Sequence, residues 1–228
     1  SSEACWMKVK KIMKHMGSDK EEFIQSFKPE MPEKWINDYN TWLNTGDIER
    51  CLDQYEDSYP NFYFYGAVPI DFHDCKVSNL CSINLQRHLN RGQDKIGIVF
   101  NTDPHNEPGE HWISMFIDIK GDNLKRNPGI YYFDSYGTKP GKHVKKLITK
   151  LKKQGKKMNK DFLYTYNDYP FQKKDAQCGM YAIHFIKEML RLKDFTKFLN
   201  TDLTDKDMLE KRDKYFIHPK EIKYKYNL

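Results

Sequence analysis

Of the five cysteines in the chain, Cys178 alone has a setting suited to covalent chemistry. It stands in Asp175-Ala176-Gln177-Cys178-Gly179-Met180-Tyr181, where a polar loop gives way to an apolar helical pattern running from Gly179 to Leu192. A helix N-terminus carries partial positive charge and unused N–H groups, so it favours a thiolate and leaves the Cys178 N–H free to serve an oxyanion. Gly179 lets backbone or substrate approach closely. A thiolate nucleophile also needs a base, a group that fixes the tautomer of that base, and oxyanion donors. His111 begins a predicted strand after the loop Glu107-Pro108-Gly109-Glu110 and is the candidate base. Asp134 ends the following strand and comes level with His111 if the two strands pair antiparallel, as an orienting carboxylate must. Asp118, at the far end of the His111 strand, is the fallback. Gln172 can offer its side-chain amide to the oxyanion, although Gln177, adjacent to Cys178, competes for that role. Singly these signals are weak, since a lone histidine beside a strand is more often structural and most buried cysteines are inert.

The elements that would position these groups can be read from periodicity. Residues 3–27 read as helical, with Trp6, Val9, Ile12, Met13 and Met16 at three-to-four spacing, broken at Gly17-Ser18 and restarted by a capping-box pattern at Ser18 and Glu21. A helix over about 46–55 is entered through Trp42-Leu43-Asn44-Thr45. Strands are expected at Phe62-Tyr63-Phe64-Tyr65, Lys95 to Phe100, His111 to Asp118, Gly129 to Asp134 and Phe162 to Tyr166, with a helix between Ser82 and Asn90. Lys142 to Lys157 is a Lys-rich helix whose Val144, Leu147, Ile148 and Leu151 share one face. Strands segregated from helices predict an α+β architecture. Residues 1–38 read as a helical N-terminal extension, either the end of a larger accessory region or a cap, ahead of a core over 39–228.

The 228 residues carry 39% hydrophobic and 14% aromatic side chains, enough for a real core. No apolar run approaches the roughly 20 residues that a membrane-spanning helix needs, so no membrane partner is expected. The start, Ser1-Ser2-Glu3, is neither an initiator Met nor a signal peptide, so the chain is expected to be a fragment. Five irregularly spaced cysteines argue against a disulfide scaffold and for a reducing compartment with free thiols. His73-x-Cys75 with Cys81 lacks a fourth ligand at zinc-like spacing and reads as a loop with ordinary thiols, so neither metal nor cofactor is expected. The net charge of +6 fits an acidic partner without demanding one, and the Lys-rich stretch Lys139 to Lys160 offers weak contact with DNA or an acidic substrate region. The plainer reading of those lysines is a solvated helix face.

Taken in order, His111-Trp112, then Phe133-Asp134-Ser135-x-Gly137, then Gln172 ahead of Cys178-Gly179, resembles the SUMO-protease and adenovirus-protease group of cysteine proteases. Trp42-Leu43-Asn44 resembles that group's element ahead of a helix. Within the group, Val99-Phe100-Asn101-Thr102-Asp103, Pro108-Gly109-x-His111-Trp112 and Phe116-Ile117-Asp118-Ile119-x-Gly121-Asp122 are similar to the polyprotein proteases of large DNA viruses such as African swine fever virus. The resemblance implies a papain-like core, a central mixed sheet flanked by helices with the nucleophile at the N-terminus of a buried helix. It implies cleavage after Gly-Gly or Gly-x-Gly, without a metal, and makes Trp42 and Trp112 the walls of a narrow tunnel for the glycines. Two close indole faces would exclude any side chain, whereas the plainer reading packs both rings in the core. The resemblance further implies processing of viral structural polyproteins, in virion and host cytoplasm. Removal of SUMO or ubiquitin from host proteins, or acyl transfer by the same triad, are the alternatives. This chain departs from the group in its long His111–Asp134 interval, where Asn123 to Gly129 looks like a hairpin insertion, and in Asn44-Thr45, which lacks the usual Asn-Asp. The swine fever virus relative has Asn at the position of Asp134.

Overall fold

The apolar and aromatic runs in the middle of the chain become a five-stranded sheet in the computed structural model, which describes residues 28–123, 127–174, 176–191 and 194–218. The helical pattern over 3–27 lies outside the described residues, as does the middle of the expected 123–129 insertion. A short 3-10 turn, Glu33–Ile36, precedes α1 (Thr45–Ser58), β1 (Phe62–Val68) and a second 3-10 turn, Asn79–Ser82. Then come α2 (Leu85–Asn90), β2 (Lys95–Asn101), β3 (Trp112–Asp118), β4 (Gly129–Phe133) and α3 (Lys142–Lys157). The described chain closes with β5 (Leu163–Tyr166), α4 (Cys178–Leu190), α5 (Phe195–Leu199) and α6 (Asp205–Tyr215). The strands stand in sequence order. The outer pairs β1–β2 and β4–β5 are parallel, and the inner pairs β2–β3 and β3–β4 antiparallel. This is the mixed, helix-flanked sheet of the α+β expectation.

Strand side chains alternate between faces, so β1 to β4 each feed two cores. Phe62, Val99, Phe116, Tyr131 and Phe133 pack with Met180, Ile183, Phe185 and Ile186 of α4. Ile96, Ile98, Phe100, Met115 and Tyr132 pack with Val144, Leu147, Ile148 and Leu151 of α3. Helix α4 is buried on nearly every side because α1 and α6 cover what the sheet leaves open, which is why its sequence is apolar almost throughout. The start of the described chain is tied to its end: the Met31 N–H donates to the Ile217 carbonyl at 3.0 Å, and Trp35 meets Phe216 edge-on.

Two local expectations change. The helix expected between Ser82 and Asn90 starts later, because Asn84 is extended and its side chain accepts the Arg87 N–H, beginning α2 at Leu85. Cys75 and Cys81, expected to be ordinary thiols, are joined in a disulfide. The turns between β1 and α2 bring their Cα atoms to 5.2 Å, within disulfide reach. Asp118 is committed to structure: it holds the buried Lys95 at 2.6 Å and accepts from the Gly121 and Asn123 N–H groups at 2.7 Å each. That leaves it no part in orienting His111.

Candidate active site

The antiparallel pairing of β3 and β4, with Ser114 opposite Phe133, carries His111 and Asp134 to the same end of the sheet. There His111 Nε2 and Asp134 Oδ1 are 2.7 Å apart. Cys178, the first residue of α4 and almost wholly buried, is the other group that acts on the imidazole. Burial disfavours the imidazolium, but the hydrogen bonds and negative charge of Asp134 and Cys178 outweigh it and push the His111 pKa up to about 9. The ring of Tyr136 lies 4.8 Å from that of His111, centroid to centroid, and shields it on one side.

Asp134 is held by its own backbone. The Asn167 side chain accepts the Asp134 N–H at 2.9 Å and donates to its carbonyl at 2.5 Å, while Asp134 Oδ1 also accepts the Tyr136 N–H at 2.9 Å. The turn closes with Gly137 donating to the Asp134 carbonyl at 2.8 Å. Gly137 has φ of 73°, and a Cβ there would meet the Tyr169 backbone at 2.5 Å, so the Asp-Ser-x-Gly pattern ends in glycine for a steric reason. The Ser135 carbonyl accepts from the N–H groups of Phe171 and Gln172, locking the loop before Cys178 onto this turn.

Gln172 is buried, and its Oε1 accepts the Ser135 hydroxyl at 2.7 Å. Its amide nitrogen donates to the Tyr136 hydroxyl at 3.2 Å and to the Lys174 carbonyl. An oxyanion would have to replace one of these acceptors, and the long bond to Tyr136 is the weaker. Gln177, the competing donor, is turned elsewhere: its Oε1 accepts from Arg212 Nε at 3.2 Å.

Of the two expected tunnel walls, Trp112 is hydrogen-bonded to the segment that carries Trp42. Trp112 is buried and its indole N–H donates to the Leu43 carbonyl at 2.9 Å, next to Trp42, which is 44% exposed. Asn44 and Asp47 form a reciprocal capping box that starts α1 immediately after this segment. A Cβ on Gly179 would come to 3.1 Å from Leu43 and 3.4 Å from Trp112, so this glycine lets the start of α4 approach both. Asn167 and Arg212 were not readable as site residues from the sequence, because each acts on a backbone or a side chain more than thirty positions away. Among the described residues no group of His, Cys, Asp and Glu could hold a metal ion. A thiol, an imidazole and a carboxylate in this order are equipped for acyl transfer through a thioester.

The family model for the C-terminal catalytic domain of the Ulp1 protease family matches residues 48–224. A protein of Acanthamoeba polyphaga mimivirus named as a thiol protease is 35% identical over 192 residues, which cover 84% of this chain and 60% of that protein. A cysteine protease of African swine fever virus is 30% identical over 129 residues, 56% of this chain and 46% of the relative. The chain therefore spans about half to three-fifths of the length of these relatives. The crystal structure of an African swine fever virus protease superposes with a TM-score of 0.70 at 22% identity, covering 95% of this chain and 83% of that one. The Ulp1 protease domain in complex with Smt3, the yeast orthologue of SUMO, gives 0.52 at 20% identity, with 78% of each chain covered. At these identities the two structures establish a shared fold.

Proposed function

This chain belongs to the Ulp1 protease family, and from that premise we propose that it is a cysteine endopeptidase cleaving after Gly-Gly or Gly-x-Gly in viral structural polyproteins during virion maturation. The observation that carries the reading is the imidazole of His111 held between Asp134, at 2.7 Å, and Cys178 at the start of α4. In the proposed reaction the Cys178 sulfur attacks the carbonyl carbon of a substrate glycine. The C–N bond then breaks as His111 passes its proton to the leaving amine. Water, giving a proton to His111, attacks the thioester and releases the thiol. The Cys178 N–H and the Gln172 amide are the oxyanion donors, each worth on the order of 100-fold in rate. Trp42 and Trp112 wall the glycine passage, and the linkage of Trp112 to Leu43 supports their acting together. Similarity to a swine fever virus protease and a mimivirus protein supports a viral setting, in virion and host cytoplasm. Helix α3 adds a weak DNA contact.

Cys178→Ala should abolish cleavage of a Gly-Gly-x peptide panel while leaving the fold intact. Cleavage that survives this substitution removes Cys178 from the mechanism. The same panel run beside SUMO and ubiquitin C-terminal reactive probes distinguishes the alternative deconjugating activity. Transfer of labelled acetyl groups without hydrolysis would point instead to an acyltransferase.

A further inference from the structure

Arg212, on α6, is a buried cation that the reaction above does not use. Its side chain is 0% exposed, and its donors reach two separate stretches of chain. Nε donates to Gln177 Oε1 and one terminal nitrogen to the Ala176 carbonyl, each at 3.2 Å. The other terminal nitrogen donates to the carbonyls of Tyr39 and of Thr41, the latter at 3.1 Å. The first stretch ends at Cys178; the second ends at Trp42. The guanidinium carbon sits 4.1 Å from the ring centroid of Trp35, whose own N–H donates to the Thr41 carbonyl at 2.9 Å.

Holding two loops together does not require a charge, and burying one is costly unless it is compensated. Among the described residues no carboxylate pairs with Arg212. The titratable groups that act on it are Tyr39 and Asp38, from the stretch before Trp42, and Cys178 from α4. Tyr39 uses its own hydroxyl to reach Asp213. Burial lowers the Arg212 pKa to about 10, which still leaves it a cation at neutral pH. The positive charge is therefore kept beside the end of α4 where negative charge must reside on sulfur.

We propose that Arg212 is the positioning residue of the nucleophile: it clamps the Ala176-Gln177 entry of α4 to the Tyr39–Thr41 stretch, fixing Cys178 and its N–H relative to the Trp42 wall, and favours the thiolate. The proposal rests on the cysteine-protease reading, and its test separates the two. Alkylation of Cys178 by iodoacetamide is followed against pH in the wild-type chain, Arg212→Lys and Arg212→Met, together with peptide kinetics and melting temperature. Arg212→Lys keeps the charge but loses the planar fork, so kcat falls on the order of 100-fold, with KM changing less than about threefold. Arg212→Met also loses the charge, and the alkylation midpoint rises by about one pH unit, partly restored in the Lys variant. Folded variants with wild-type kcat and alkylation profile overturn the proposal, as does a change confined to KM. If both variants fail to fold, Gln177→Met decides: it removes the acceptor of Nε and leaves Arg212 itself in place, so about a tenfold loss in kcat supports the clamp and unchanged kcat overturns it. Because alkylation needs no substrate, a wild-type chain that cleaves no peptide sinks the protease reading, while the pH midpoint still decides the role of Arg212.

Discussion

A histidine pinned between a carboxylate and a thiol titrates unlike a free one, and that sets the first prediction. The His111 pKa of about 9 lies above the unfolded value of about 6.5, so its protonated form stabilises the folded chain. That contribution is complete below about pH 6.5 and is lost as the pH climbs through about 9. The kcat/KM of peptide cleavage should fall on the alkaline side with a midpoint near 9 as the imidazolium disappears. Asp134→Ala should move that limb to lower pH and cost on the order of 100-fold in rate, with Asp134→Asn falling between it and wild type if orientation matters more than charge. An alkaline limb that ignores Asp134→Ala would exclude His111 as the group being titrated. The meeting of His111 and Asp134 was legible because both were read at the ends of consecutive strands that would pair antiparallel. Asn167 was not, since it acts through its amide on the backbone of Asp134 across 33 positions and looks locally like any loop asparagine.

The strongest elements were legible for the same reason: their periodicity is dictated by burial. Helix α3 presents Val144, Leu147, Ile148 and Leu151 to the sheet, and the predicted 142–157 span is the observed one. α1, expected over about 46–55, spans Thr45–Ser58; the Asn44–Asp47 capping box begins it at Thr45 and so sets the approach of Trp42 and Leu43. The outward side of α3 carries Lys146, Lys150, Lys153 and Lys157 around one shallow hollow, with no acidic residue anywhere in the helix. Like charges at these spacings weaken an isolated helix, and a phosphate backbone would relieve them. The expected outcome is weak duplex-DNA binding whose affinity drops steeply between about 50 and 200 mM salt. Replacing Lys146, Lys153 and Lys157 together with Glu should abolish it without changing peptide cleavage. Affinity that is insensitive to salt, or to those three changes, would leave α3 as a solvated face.

Across the whole molecule, the existence of the strands was easier to read than their pairing. Local alternation reveals a strand, but the parallel joins of β1 to β2 and β4 to β5 are decided by helices that return the chain across the sheet. The disulfide was illegible for a similar reason, since five irregular cysteines give no sign that the turns ahead of α2 fold two of them together. Its location fixes what it can do. Phe72, Leu80 and Ile83, from the same segment, pack into the core shared with α3, whereas Cys178 opens α4 on the opposite face of the sheet. The bond closes a short loop, with a sequence separation of 6, for which chain entropy alone gives about 2 kcal/mol. In a chain of this size that corresponds to a melting temperature lower by about 5 °C when the bond is absent. Reductant, or Cys75→Ser with Cys81→Ser, should therefore lower the melting temperature by that order while kcat/KM for peptide cleavage holds at the wild-type level. A double-serine variant that melts as wild type but cleaves poorly would reverse this division, tying the α3 side of the sheet to catalysis on the other.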